Sequence, residues 1–246
     1  MKKRQKLLIL SLLLMGVFLV FASSCEKENI NGIDRSTFTD PRDGKVYQTV
    51  VIGNQEWMAE NLAYLPSVNQ VADGSEDAPG SYYYVYGYDG TDVNAAKATD
   101  NYNTYGVLYN WTAAMGGDAS STSNPSGIQG ACPLGWHLPS DVEWTELIDL
   151  QGGKQIAGGK LKEIGTSHWN SPNSDATNET GFTALPGGFR GYLGTFSSID
   201  NEGRWWSATE LDATYAWSHD MFYNSSLVLR NFIYNEMGFC VRCVRD

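Results

Sequence analysis

The pair Cys240 and Cys243 stands in the closing GFCVRCVRD, at the spacing that serves dithiol redox centres and zinc sites. Zinc needs further ligands. The three histidines, His137, His168 and His219, are scattered, with no second C-x-x-C and no H-x3–5-H pair. If the tail is a β-strand it rises about 3.3 Å per residue, which sets the two cysteines roughly 10 Å apart on opposite faces. A disulfide needs Cα atoms within about 7 Å, so the two do not bond each other along a strand. Phe239, Val241 and Cys243 share one face, which makes Cys243 a candidate for the core. With Cys25 assigned elsewhere, Cys132, Cys240 and Cys243 are an odd count for an oxidising compartment. Cys132 can pair with Cys243 or with Cys240. A thiol enzyme would use Cys240, with Arg242 to lower its pKa. No nucleophile elbow, phosphate-binding loop or H-E-x-x-H accompanies it.

Other side chains could bind rather than react. Trp205, Trp206, Trp217, Tyr192 and Phe196 could stack on sugar rings. Consecutive Trp205 and Trp206 point to opposite faces of a strand, so at most one faces outward and the other is core. Packing is the ordinary role of any one of these tryptophans. Arg190, in GGFRGYLG, could hold a carboxylate or tie loops together. Arg190, Tyr192, Trp205, Trp206 and Trp217 are the candidate ligand-binding set. Asp175, Asn178, Glu179, Asp200, Asn201 and Glu202 could hold a structural calcium ion, although a solvated acidic loop is the simpler reading. His137, in GWHLPS, reads as a hydrogen-bonding group that organises the turn before a helix.

Certain elements must position these groups. Val46 to Ile52 is β-branched and aromatic, hence a strand, and residues 55–58 return after a Gly53-Asn54 turn. The tyrosine-rich SYYYVYGYDG, 81–90, reads as a half-buried strand, with a recognition surface as the other possibility. Leu108, Trp111, Thr112 and Met115 recur at helical spacing, predicting a helix over 105–115 that stops at Gly116-Gly117. Ser140 and Glu143 form a capping box, with Trp144, Leu147 and Ile148 as the buried face beyond it. Residues 165–204 are long and irregular, which suits a functional loop or one held by a special fold. WWSATE, YAWSHDMFY, SLVLRNFIY and GFCVRCVRD read as consecutive short strands.

The N-terminus reads as an address. Basic MKKRQK precedes the apolar run 7–22, too short for a spanning helix, and Ala22-Ser23-Ser24 leads to Cys25. This resembles a relaxed bacterial lipobox, which implies a signal peptide over 1–24 and lipidation of Cys25, a stable membrane anchor. Glu26-Lys27-Glu28 resembles the surface-export signal of Bacteroidota lipoproteins, which implies the outer membrane, facing the cell exterior. Residues 25–38 read as a flexible tether, and 39–246 as one domain. The chain has 17 basic and 28 acidic residues; without Lys2, Lys3, Arg4 and Lys6 its charge is −15. Such acidity argues against nucleic acid as a partner.

WMAENL, YGVLYNW, CPLGWHLPSDVEW, GFTALPGGFRG, RWWSATE and VRCVRD occur in this order between residues 57 and 246. Together they resemble the Fibrobacter succinogenes major paralogous domain. The resemblance implies an α+β, C-type lectin-like fold: two helices on small antiparallel sheets, first and last strands sharing a sheet, and a long loop region. Cys132 and Cys243 match the family's cysteines, which implies that they are the disulfide. Cys240, where a small residue is usual, departs from the pattern as a candidate free thiol. The sugar-binding motifs of true C-type lectins are absent. Formylglycine-generating enzymes share the broad fold, which keeps a thiol enzyme as an alternative. The expectation is a non-catalytic, surface-exposed outer-membrane lipoprotein, a binding or accessory subunit of an outer-membrane transport or envelope complex. Calcium-independent glycan binding is the other alternative.

Overall fold

The computed structural model describes residues 28–30, 32–74 and 80–245. The expected leader and Cys25 lie outside them. Strands β1 (Glu28–Ile30), β2 (Ile33–Thr39), β3 (Val46–Ile52) and β4 (Gln55–Met58) run as an antiparallel meander. Val46 to Ile52 is a strand as its β-branched content requires, and Ile52 pairs with Gln55 across the Gly53-Asn54 turn. The expected tether ends sooner than residue 38. Arg35 to Thr39 pair residue by residue with Val50 to Val46. The polar DRSTF is held because alternate residues find partners. Phe38 packs on Trp136 at 5.3 Å, and the Ser36 hydroxyl lies 2.6 Å from that of Thr49 and donates to Glu56.

β5 (Tyr83–Tyr84) is the one short strand in the tyrosine-rich segment. After α1 (Val93–Lys97) and α2 (Asp100–Tyr105) it pairs with β6 (Leu108–Tyr109). The single helix expected over 105–115 is instead the end of α2, the strand β6 and a separate helix that follows it. Gly106 sits at φ 76°, ψ −141°, a conformation suited to glycine, and a Cβ there would come within 2.8 Å of the Leu62 carbonyl. Asn110 then caps α3 (Trp111–Met115), accepting from the Ala113 amide, and Gly116 ends it in the left-handed region. Leu108, Trp111 and Met115 are all buried, but Leu108 is buried as part of a strand.

α4 (Asp141–Leu150) carries the capping box, and Trp144, Leu147 and Ile148 are buried as its periodicity requires. α5 (Ala157–Leu161) follows. β7 (Gly187–Arg190), β8 (Phe196–Ile199), β9 (Glu202–Glu210), β10 (Tyr215–Phe222) and β11 (Val228–Tyr234) make a second sheet, ordered β11-β10-β9-β7-β8. β12 (Val244–Arg245) pairs with β4, so early and late strands share the first sheet. Among the described residues there are five helices where two were expected, and the architecture is α+β.

The second sheet separates two apolar cores. Trp206 enters one with Phe239, stacked at 4.4 Å. Trp205 enters the other, 6.3 Å from Trp144. The two tryptophans do face opposite ways, but neither faces outward: both are fully buried. The tail is not one continuous strand. Gly238, Phe239 and Cys240 make single bridges to Arg190, Tyr109 and Trp205 before β12 begins. Cys243 bonds Cys132 with Cα atoms 5.9 Å apart, and Cys240 is the free cysteine among the described residues.

Candidate functional site

Most side chains that could do chemistry are engaged in holding the fold. Asn61 is the centre of one buried knot. Its Oδ1 accepts from Trp205 Nε1 at 2.9 Å and Arg242 Nη2 at 3.1 Å, and its Nδ2 donates to the Tyr105 carbonyl and to Cys240 Sγ at 3.3 Å. Burial pushes the Cys240 thiol up to about 12, and Arg242 only partly offsets this. The lowering by Arg242 on which a thiol enzyme would rely is outweighed, because desolvation of the thiolate is the larger effect. Arg242 is itself fully buried, donates to the Met58 carbonyl, and is pushed down to about 9 by burial.

Glu143 is the centre of a second knot. Its Oε2 accepts from the Ser140 amide at 2.8 Å and the Ser126 amide at 3.0 Å, and its Oε1 meets His137 Nε2 at 2.6 Å. His137 organises the turn before α4 as its place in GWHLPS suggests. A third buried group, Lys162, carries no sequence signal. Its Nζ donates to the Phe222 and Ser225 carbonyls, both at 2.9 Å, and burial pushes it down to about 8 despite Asp175.

Arg190 is fully buried and ties loops together. It donates to the carbonyls of Val71 at 2.9 Å, Asp73 at 2.7 Å and Glu236 at 3.1 Å. As candidate ligand-binding residues, Arg190, Trp205 and Trp206 are therefore corrected: each is enclosed and bonded within the fold. Phe196 packs on Tyr86 at 5.0 Å. The loop oxygen donors are dispersed. Asp200 accepts from the Tyr105 hydroxyl, Glu179 pairs with Lys160 and Glu202 with Arg204. Among the described residues no three His, Cys, Asp or Glu side chains converge as a metal cage.

Two of the expected ligand-binding residues, Tyr192 and Trp217, do share a surface. Where β10 begins and β11 ends, aromatics alternate at 215 and 217 and at 232 and 234, and cross-strand pairing sets Tyr215 opposite Tyr234 and Trp217 opposite Phe232. All four therefore project from one face of the sheet. Tyr192, from the turn between β7 and β8, joins the end of the row. Ring centroids step 4.7 Å from Tyr192 to Tyr234, 4.7 Å to Tyr215, 5.8 Å to Phe232 and 5.6 Å to Trp217. The row is half-buried, and Phe232 is 47% exposed. The Tyr215 hydroxyl is bonded to that of Tyr234, which raises its pKa.

One end of the row is fixed by charge. The Arg230 guanidinium lies 3.3 Å over the Trp217 ring. Asp141, the first residue of α4, grips it in a two-point bond, 2.7 Å to Nε and 2.8 Å to Nη2. The same carboxylate meets His219 Nε2 at 3.2 Å, and the imidazole stacks on Trp144 at 5.1 Å. Burial acts to raise the Asp141 pKa, but bonds from His219 and Arg230 outweigh it and hold the carboxyl down at about 2. Tyr215, Arg230, Phe232 and Tyr234 were not singled out from sequence. Their signal was there, as aromatics at every second position of YAW and FIY in neighbouring strands.

A family model described as the Fibrobacter succinogenes major domain matches residues 50–245. Comparison with curated proteins finds no match, and comparison with solved structures finds none.

Proposed function

This chain belongs to the Fibrobacter succinogenes major domain family, and on that premise we propose a non-catalytic, surface-exposed outer-membrane lipoprotein on a C-type lectin-like scaffold. It acts as a binding or accessory subunit of an outer-membrane transport or envelope complex, and the aromatic row of β10 and β11 is its contact face. The single observation that carries this reading is the contrast between that row and the rest. Cys240, Lys162, Arg190 and Arg242 serve buried internal bonds, whereas five aromatic rings stand together on a partly open sheet face. Tyr, Trp, Phe and Arg are the residues enriched where proteins meet proteins. The basic leader, Cys25 and the acidic residues after it support the anchored location.

Protease treatment of intact cells tests the location. The reading expects this protein to be cleaved while periplasmic proteins survive; full protection contradicts it. Calcium-independent glycan binding is the second reading, since it would draw on the same rings. Against it, Tyr192, Tyr234 and Tyr215 pack on one another at tilted angles and Arg230 covers one face of Trp217, which leaves Phe232 as the most open ring for a sugar. A glycan array decides between the two.

A further inference from the structure

We propose that the aromatic row docks a protein segment rich in arginine, which it holds by cation–π contact inside an acidic rim. This rests on the reading of the row as the contact face, and names the chemistry of what meets it. Three observations lead there. The first is Phe232, which is 47% exposed and lies at 85° to the Tyr215 ring and 82° to the Trp217 ring, so neither neighbour stacks face to face on it. The second is charge. Glu210 and Asp212 are exposed beside Tyr215, and neither is in an ion pair among the described residues; the one cation at the row, Arg230, is already matched by Asp141. The charge left unmatched beside the row is therefore acidic, in a chain whose formal charge is −11. The third is that the row already accepts a guanidinium: Arg230 stacks on Trp217 within this same surface. A planar, weakly hydrated guanidinium suits an aromatic surface better than a compact ammonium does, and cation–π contact strengthens as the site is desolvated.

A fluorescent Arg-Gly repeat peptide is titrated into the full-length protein in detergent, alongside a Lys-Gly repeat, a Glu-Gly repeat and a labelled cello-oligosaccharide. The Arg-Gly peptide is expected to bind more tightly than the Lys-Gly peptide, and the Glu-Gly peptide not at all. Phe232→Ala is expected to weaken Arg-Gly binding about tenfold. Glu210→Gln with Asp212→Asn should weaken it and flatten its salt dependence. Glu146→Gln with Asp149→Asn, at a half-buried and an exposed position of α4, should leave it unchanged. Circular dichroism checks that each variant is folded, and the rim pair, which removes no packed group, keeps the test valid if Phe232→Ala is not. Absence of Arg-Gly binding overturns the proposal, as does equal weakening by the α4 pair, which would mean attraction to acidity anywhere on the chain. Binding of the oligosaccharide that depends on Phe232, without Arg-Gly binding, assigns the row to glycan. If the row variants lose a co-purifying partner while no peptide binds, the partner chemistry is wrong and the contact face stands. Variants that keep the partner overturn the contact face itself.

Discussion

Cys240 sits where a thiol enzyme would need an exposed, low-pKa nucleophile, and its surroundings do the opposite. With the thiol pushed up to about 12, only about one molecule in ten thousand holds a thiolate at pH 8. Native protein should therefore leave Cys240 unmodified by iodoacetamide over hours, while denatured protein reacts within minutes; rapid modification of the native form, read by mass, would contradict this burial. Asp220 offers a second residue-scale test. It is buried, and burial pushes its carboxyl from 3.8 up to about 6, with Arg204 offsetting only part. A folded-state pKa above the unfolded value means that the folded form binds the extra proton between those limits. Stability should then fall as pH rises through that window, by roughly 1–3 kcal/mol. Urea midpoints of Asp220→Asn should lack this decline. A variant that keeps the full decline would locate it in another group.

At the scale of elements, α4 shows how local and tertiary bonds combine. Ser140→Ala removes a cap alone and should cost about 1 kcal/mol. Glu143→Ala leaves the Ser140 and Ser126 amides without their buried acceptor and frees His137, so it should cost about 2–4 kcal/mol. Equal costs by chemical denaturation would mean that Glu143 does no more than cap. This helix was legible in sequence because its cap and its apolar face agree. The segment 105–115 was not, because apolar residues at 108, 111 and 115 suit a helix as well as a buried strand followed by a helix. The pairing of Leu108 and Tyr109 with β5 and the close approach of Gly106 to the Leu62 carbonyl separate the two, and both are tertiary facts. Strand β2 was missed for a related reason: DRSTF is polar, and its partners Thr49, Glu56 and Trp136 are distant in sequence.

For the whole molecule, the family motifs prove to be the residues that close the fold. Asn61, Tyr105, Trp205 and Arg242 come from four separate motifs and meet in one knot, which Cys240, just before the last motif, joins. The Cys132–Cys243 bond joins positions 111 residues apart. By chain entropy such a link contributes about 4–5 kcal/mol. Reduction, or Cys132→Ser with Cys243→Ser, should lower the melting temperature by ten degrees or more, about the shift expected for such a loss; an unchanged transition would show that packing alone holds the tail. The proposed contact face was less legible than the fold. Its residues lie outside the motifs, and only the pairing of β10 with β11 brings the alternating aromatics of two strands onto one surface.

The central claim is that this surface is where the protein meets its partner at the membrane. The direct measurement is quantitative affinity isolation from detergent-solubilised cells, comparing the wild-type chain with Phe232→Ala and with Tyr215→Ala. The account predicts a stoichiometric envelope protein with the wild type, and its loss from both variants while their amount and membrane location stay unchanged. Equal recovery of that protein with the variants, or a wild-type chain that isolates alone, would contradict it.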